Sequence, residues 1–124
     1  MSPMSRRILI VDDEPGLIAV IRDLLTARGF EVDEAYNAAD ALAAVRERIY
    51  DAAILDFNLP DMDGVMLHRE IRSMDDELAR RTLFVSGRPQ TDENLGYYQT
   101  FGGGFIAKPF DLQKLIAALN ALWE

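Results

Sequence analysis

The 124-residue chain carries 13 Lys and Arg against 21 Asp and Glu, a net charge of −8, with 49% hydrophobic and 27% charged residues. That size and balance describe one ordinary folded domain whose core needs no metal or disulfide staple, and they exclude a disordered chain. The acidic balance argues against direct nucleic-acid binding, which needs Lys and Arg on phosphates, and the absence of Cys excludes disulfides, thiolate nucleophiles and Cys-based zinc sites. A single His, His68, leaves no histidine-rich metal site. No apolar run approaches the roughly 20 residues of a membrane span, so no membrane contact is expected and the cytoplasm is the default location.

Residues 1–5 are expected to be a disordered lead-in and residues 6–124 one domain. Arg7 to Val11 forms a buried strand. Pro15 suits a first helical turn, and Leu17, Ile18, Ile21, Leu24 and Leu25 mark one apolar helix face ended by Gly29. Glu31 to Ala35 is a weaker strand, followed by a helix capped by Asn37 with Ala38, Ala41, Leu42 and Val45 inward. Ala52 to Asp56 is a strand, Phe57 to Gly64 a turn-rich loop, and Val65 to Met74 a helix with Leu67 and Ile71 four apart. Met74 to Arg81 is expected to be a solvated helix end and loop, before a strand over Thr82 to Ser86. Thr91 to Phe101 contains Asn94 and Gly96 and is expected to form only a short, mobile helix, since an interior glycine costs about 1 kcal/mol relative to Ala. Gly104 to Ala107 is the last strand, entered through Gly102 and Gly103. Asp111 caps a final helix with Leu112, Leu115, Ile116, Leu119 and Leu122 inward. Strand and helix alternate about five times, which predicts a parallel sheet with helices on both faces.

In open α/β sheets, ligands bind beyond the carboxyl ends of the strands. Asp12 and Asp13 follow the first strand, Asp56 ends the third, Ser86 the fourth, and Lys108 follows the fifth. One polar residue at a strand end is unremarkable in a loop; joint placement after four strands is not. Two carboxylates about 4 Å apart repel by roughly 4 kcal/mol at an effective dielectric near 20. Three of them beside one lysine need a further cation, and a hard divalent ion such as Mg²⁺, with Mn²⁺ as a substitute, matches oxygen ligands. Such an ion beside an ammonium and a hydroxyl suits a phosphoryl group, and an Asp carboxylate is a competent nucleophile for it.

These motifs, Ile10-Val11-Asp12-Asp13-Glu14, Asp56 through Gly64, Val85-Ser86-Gly87 and Lys108-Pro109-Phe110, resemble the receiver domain of two-component response regulators over residues 6–123. The resemblance implies a flavodoxin-like (βα)5 fold with a five-stranded parallel sheet of order 2-1-3-4-5. It makes Asp56 the phosphoacceptor. Asp12 and Asp13 would organise Mg²⁺, Asp13 more directly, with the Asp56 carboxylate and the Asn58 backbone carbonyl completing the ligands. Ser86 and Lys108 would each contact a phosphoryl oxygen, and the Lys108–Pro109 peptide would be cis. Ser86 and Phe105 stand at the switch positions. Many relatives carry Tyr where this chain has Phe105, so an aromatic switch here would act through packing alone. Asn58 and Arg88 would flank a hydrolytic water and modulate dephosphorylation. The implied partners are a histidine kinase or histidine phosphotransfer protein and an unknown downstream protein, with a homodimer through the last helices also compatible. The domain would either stand alone or belong to a longer regulator or hybrid sensor histidine kinase.

Other readings fit less well. A receiver-shaped module that is never phosphorylated would not need the full set of Asp12, Asp13, Asp56, Ser86 and Lys108. A phosphatase of the haloacid dehalogenase type needs an acid two residues after its nucleophile, where this chain has Asn58. A flavin-binding relative would need a Ser/Thr-rich loop after the first strand. His68 is expected to face solvent or pack on its own helix. Tyr97, Tyr98 and Trp123 are expected to pack at an edge near the last two helices, with a partner patch as the alternative.

Overall fold

The computed structural model describes residues 5–123, so most of the lead-in expected over residues 1–5 lies outside the described residues. Side chains alternate across a strand, and here both sets are apolar. In β1 (Arg7–Val11), Ile8 and Ile10 face one side while Leu9 and Val11 face the other; in β3 (Ala52–Asp56), Ile54 and Leu55 divide in the same way. β4 (Thr82–Ser86) is buried throughout, β2 (Glu31–Ala35) lies at one edge, and β5 (Gly104–Ala107) at the other. All pairings are parallel and the order is β2-β1-β3-β4-β5, the flavodoxin-like arrangement expected. Continuous apolar strands buried on both faces are what such a sheet requires.

Helices α1 (Pro15–Ala27) and α6 (Leu112–Ala121) cover one face. Ile18, Ile21 and Leu25 meet Leu115, Ile116 and Leu119 over Ile8, Ile10, Ile54, Leu83 and Val85. The other face carries α2 (Ala38–Glu47), α3 (Gly64–Met74), α4 (Asp76–Arg80) and α5 (Asp92–Phe101), packed on Leu9, Val11, Ala53, Leu55 and Phe84. Asn37 and Asp111 cap their helices through side-chain oxygens, as their positions predict.

Four expectations need correction, three of them wholly on the α3–α5 side. Residues 74–81 are not a solvated loop. Asp75 closes α3 through its N–H and opens α4 through its carboxylate, and α4 buries Leu78 and Ala79. Asp75, Asp76, Glu77 and Arg80 are start and stop signals, but two adjacent apolar residues set no period, so no amphipathic face marks a helix there. The helix over residues 92–101 is not short: its ten residues match α2 and α6 in length. Thr91 caps it, and Tyr98 anchors it in the core, which offsets the cost of Gly96.

His68 neither faces solvent nor stays on its own helix. It is fully buried, with Nε2 2.8 Å from the Ala79 carbonyl and Nδ1 2.8 Å from the Tyr97 hydroxyl. A carbonyl only accepts, so Nε2 carries the proton and Nδ1 accepts from Tyr97. Burial lowers the imidazole pKa and keeps the ring neutral, tying α3, α4 and α5 together. Consequently Tyr97, Tyr98 and Trp123 form no common patch. Tyr98 is in the core, Tyr97 serves His68, and Trp123 packs across the sheet with the Arg6 guanidinium 4.0 Å above its ring.

Gly64 lets α3 begin directly against the loop after β3. A Cβ there would lie 2.8 Å from Phe57 Cα, while the Gly64 N–H donates to the Phe57 carbonyl at 2.8 Å. Gly64→Ala should therefore lower stability by about 1–3 kcal/mol, the usual range for overpacking. Urea denaturation would measure it, and an unchanged midpoint would show that the Phe57 loop yields freely.

Candidate functional site

Strand register brings the polar strand ends together. Val11 pairs with Leu55, Asp56 with Val85, and Ser86 with Ala107, so Asp12, Asp56, Ser86 and Lys108 reach the same edge of the sheet. There Asp13, Glu14, Asp56, Asn58, Gly87, Arg88 and Lys108 line an open cleft of about 370 Å³. Asp12 and Ser86 are buried at its base. One carboxylate oxygen from each of Asp12, Asp13 and Asp56 lies within 4.8 Å of the other two.

The three carboxylates differ in what already holds them. Asp12 Oδ1 accepts the Glu14 N–H at 2.9 Å, and its Oδ2 accepts Lys108 Nζ at 2.9 Å. Both of its oxygens are engaged, whereas Asp13 is exposed and lies open to the cleft. Asp56 Oδ1 accepts the Asn58 N–H at 3.1 Å, and its Oδ2 stands 3.6 Å from Lys108 Nζ. Burial pushes the Asp56 carboxyl up to about 6; the Asn58 N–H and Lys108 oppose this rise, and the charges of Asp12 and Asp13 add to it. Burial alone would lower the Lys108 pKa, but its hydrogen bond and charge contact with Asp12, followed by Asp56 and Glu14, outweigh that and raise it. Lys108 therefore stays charged, and the raised Asp56 pKa reflects burial that the positive charge around it does not fully offset.

The loops on either side complete the site. Asn58 donates through Nδ2 to Ser86 Oγ at 3.2 Å, joining the β3 and β4 loops. Asp61 accepts from the Ala38 and Ala39 N–H groups at 2.9 and 3.0 Å, tying the β3 loop to the start of α2. Sequence reading finds only a turn residue in Asp61, because its partners lie 22 and 23 positions away. The Lys108–Pro109 peptide is cis. Phe105 stays out of the acid cleft and lines an adjoining hollow of about 280 Å³ behind Ser86, together with Gln90 and Leu95.

The family model for the response regulator receiver domain matches residues 8–120. The chain belongs to that family. The chemotaxis protein CheY of Bacillus subtilis is 35% identical over 118 residues, covering 94% of this chain and 97% of CheY. The transcriptional regulatory protein PrrA of Mycobacterium tuberculosis is 34% identical over 118 residues, covering 95% of this chain but 50% of PrrA. The chain thus spans about half the length of PrrA and of several other mycobacterial regulators it matches. Among solved structures, the non-phosphorylated HemR receiver domain from Leptospira biflexa superposes with a TM-score of 0.86 at 28% identity, covering 95% of this chain and 94% of that one. As a receiver domain the chain is a phosphoacceptor module of two-component signalling rather than an enzyme that turns over a metabolite. Receiver domains bind Mg²⁺ at an acidic pocket and interact with histidine kinases or phosphotransfer proteins and with downstream effectors. Among the described residues no helix is long and apolar enough to cross a membrane.

A carboxyl whose folded pKa lies above its unfolded value stabilises the fold while protonated and loses that contribution as pH rises through about 6. In metal-free buffer, Asp56→Asn should therefore be more stable than the unsubstituted chain at pH 7.5, by on the order of 1–2 kcal/mol. The gap should close toward pH 4. Urea unfolding in chelator at both pH values tests this, and a less stable variant at pH 7.5 would contradict it.

Proposed function

We propose that Asp56 accepts a phosphoryl group from a phosphohistidine of a histidine kinase or histidine phosphotransfer protein. The observation that carries this reading is the three-carboxylate cleft, in which Asp56 is buried, 3.6 Å from Lys108 and backed by Ser86, while the other buried acid, Asp12, already has both oxygens engaged. The donor set fits Mg²⁺ or Mn²⁺: only oxygens, crowded, with too little positive charge of their own. Asp13 and Asp56 carboxylates and the Asn58 carbonyl would hold the ion, with Asp12 oriented by Lys108 and the Glu14 N–H. When bound, the ion supplies positive charge that keeps Asp56 ionised and neutralises phosphoryl oxygens.

An Asp56 oxygen then forms a bond to phosphorus as the donor's N–P bond breaks, and the departing imidazole takes up a proton. Lys108 neutralises one phosphoryl oxygen, and the Ser86 hydroxyl donates to another. Asn58 and Arg88, both lining the cleft, flank the approach of the water that later hydrolyses the acyl phosphate. A second groove, lined by Leu17, Val20, Pro109, Phe110 and Leu112, shares Glu14, Gly87 and Lys108 with the acid cleft. An apolar helix carrying the donor histidine fits there, because the shared wall puts it beside Asp56. The complete set of site residues disfavours a module that is never phosphorylated. The same chemistry serves a lone receiver, one joined to an output domain, or one within a hybrid sensor kinase; pairing through α6 is a further way the switch would act.

Incubation with Mg²⁺ and acetyl phosphate should add one acid-stable, base-labile phosphoryl group, seen by intact mass, and Asp56→Asn should abolish it. An adduct of unchanged yield on that variant would place the acceptor elsewhere. Asp13→Asn should weaken Mg²⁺ binding about 10-fold or more, read as the Mg²⁺ concentration needed to raise the thermal midpoint.

A further inference from the structure

Ser86 is held from several directions before any phosphoryl group arrives. Its Oγ accepts from Gln90 Nε2 at 3.0 Å, the Arg88 N–H at 3.1 Å and Asn58 Nδ2 at 3.2 Å, while its own proton goes to the Arg88 carbonyl at 3.3 Å. A serine hydroxyl has one proton and two lone pairs, so three donors exceed what the oxygen accepts fully. Gln90 leads away from the site. Its Nε2 also faces the Arg88 carbonyl at 3.2 Å, which only accepts, so its Oε1 points outward. There Oε1 accepts the Tyr98 hydroxyl at 2.9 Å and Asn94 Nδ2 at 3.3 Å. Hydrogen bonds thus run unbroken from Asp56 through Asn58, Ser86 and Gln90 into α5.

At the far end Tyr98 is 1% exposed and sandwiched between aromatic rings. Its ring stacks 4.1 Å from Phe84 on β4 and 5.5 Å from Phe105 on β5, nearly parallel to the latter at 6°. Tyr98 fills the ground between them, so Phe105 turns inward only if Tyr98 leaves. Phe105 also has no hydroxyl with which to gain a partner by turning.

We propose that in this chain Tyr98, linked to Ser86 by Gln90, carries phosphorylation of Asp56 outward to α5, with Gln90 as a positioning residue. The inference rests on the phosphoacceptor reading above and adds its route through the fold. For the Ser86 proton to reach a phosphoryl oxygen, it leaves the Arg88 carbonyl. As Oγ moves toward Asp56 it parts from Gln90 Nε2. The hollow behind Ser86 gives the freed amide room to follow Tyr98, and the Tyr98 ring shifts Phe105 with it. The polar half of the response lies on α5, in place of a hydroxyl on β5.

Amide hydrogen exchange over residues 92–101, with Mg²⁺ and beryllofluoride as the phosphoryl surrogate, tests this on the full chain, Gln90→Met and Tyr98→Phe. Both variants should retain the acetyl phosphate adduct at Asp56. Their exchange response in α5 should shrink by about fivefold or more, the lower end of coupling between sites. Gln90→Met should also bind beryllofluoride about threefold tighter, because one modest hydrogen bond no longer holds Ser86 back; a merely structural role would leave that affinity unchanged. A response of full size in both variants, or unchanged or weaker affinity in Gln90→Met, overturns the proposal. Failure of the unsubstituted chain to take up any phosphoryl group would overturn the Asp56 reading instead.

Discussion

Asp12, Asp13 and Asp56 crowd like charges into one cleft with Lys108 as the ammonium among them, and the rest of the structure makes that crowding tolerable. Carboxylates at such separations repel by a few kcal/mol per pair at an effective dielectric near 20. Free loops would relieve this by moving apart. Here the carboxylates sit at or just past the ends of β1 and β3, two neighbouring inner strands buried on both faces. Packing of Ile8, Ile10, Ile54 and Leu55 holds them at fixed separation, and burial, with the unrelieved repulsion added to it, raises the Asp56 pKa.

The single lysine divides the work among the acids. Lys108 is drawn closest to Asp12, at 2.9 Å, and stays 3.6 Å from Asp56. Asp12 is thereby satisfied from both sides and Asp56 is left partly uncompensated. A buried carboxylate with partial compensation is stabilised by whatever brings positive charge into the cleft. Arg88, on the cleft wall, and the cis Lys108–Pro109 junction frame the opening without filling it.

The two faces of the sheet are built differently. Under α1 and α6 the buried apolar side chains are aliphatic, with Phe30, Phe110 and Trp123 only partly buried against them. Under α3, α4 and α5 the packing is aromatic and hydrogen-bonded: Phe84, Tyr98 and Phe105 stack, and His68 joins Tyr97 to the Ala79 carbonyl. Aliphatic packing has no preferred direction, whereas stacked rings and paired polar groups have discrete arrangements. The second face is therefore the one with discrete arrangements to exchange.

Much of this was legible in the residues alone. Apolar runs at Ile8–Val11 and Ala52–Leu55, the helix faces of α1 and α6, and the caps at Asn37 and Asp111 are local signals, because strand and helix periods and capping act within a few positions. Acids, hydroxyl and lysine at successive strand ends were equally legible, since parallel topology sends every strand end to one edge. What tertiary structure decided was everything whose partner is distant: α4 held by burying Leu78 and Ala79, His68 neutral between two other helices, Asp61 capping α2, and Tyr98 occupying the core instead of an edge. It also decided the unequal grip of Lys108 and the link from Ser86 through Gln90 to Tyr98. Sequence determines which groups are available at each strand end; only the close packing of the folded chain determines which of them touch, because contact energies act over a few ångströms in space and carry no mark along the chain.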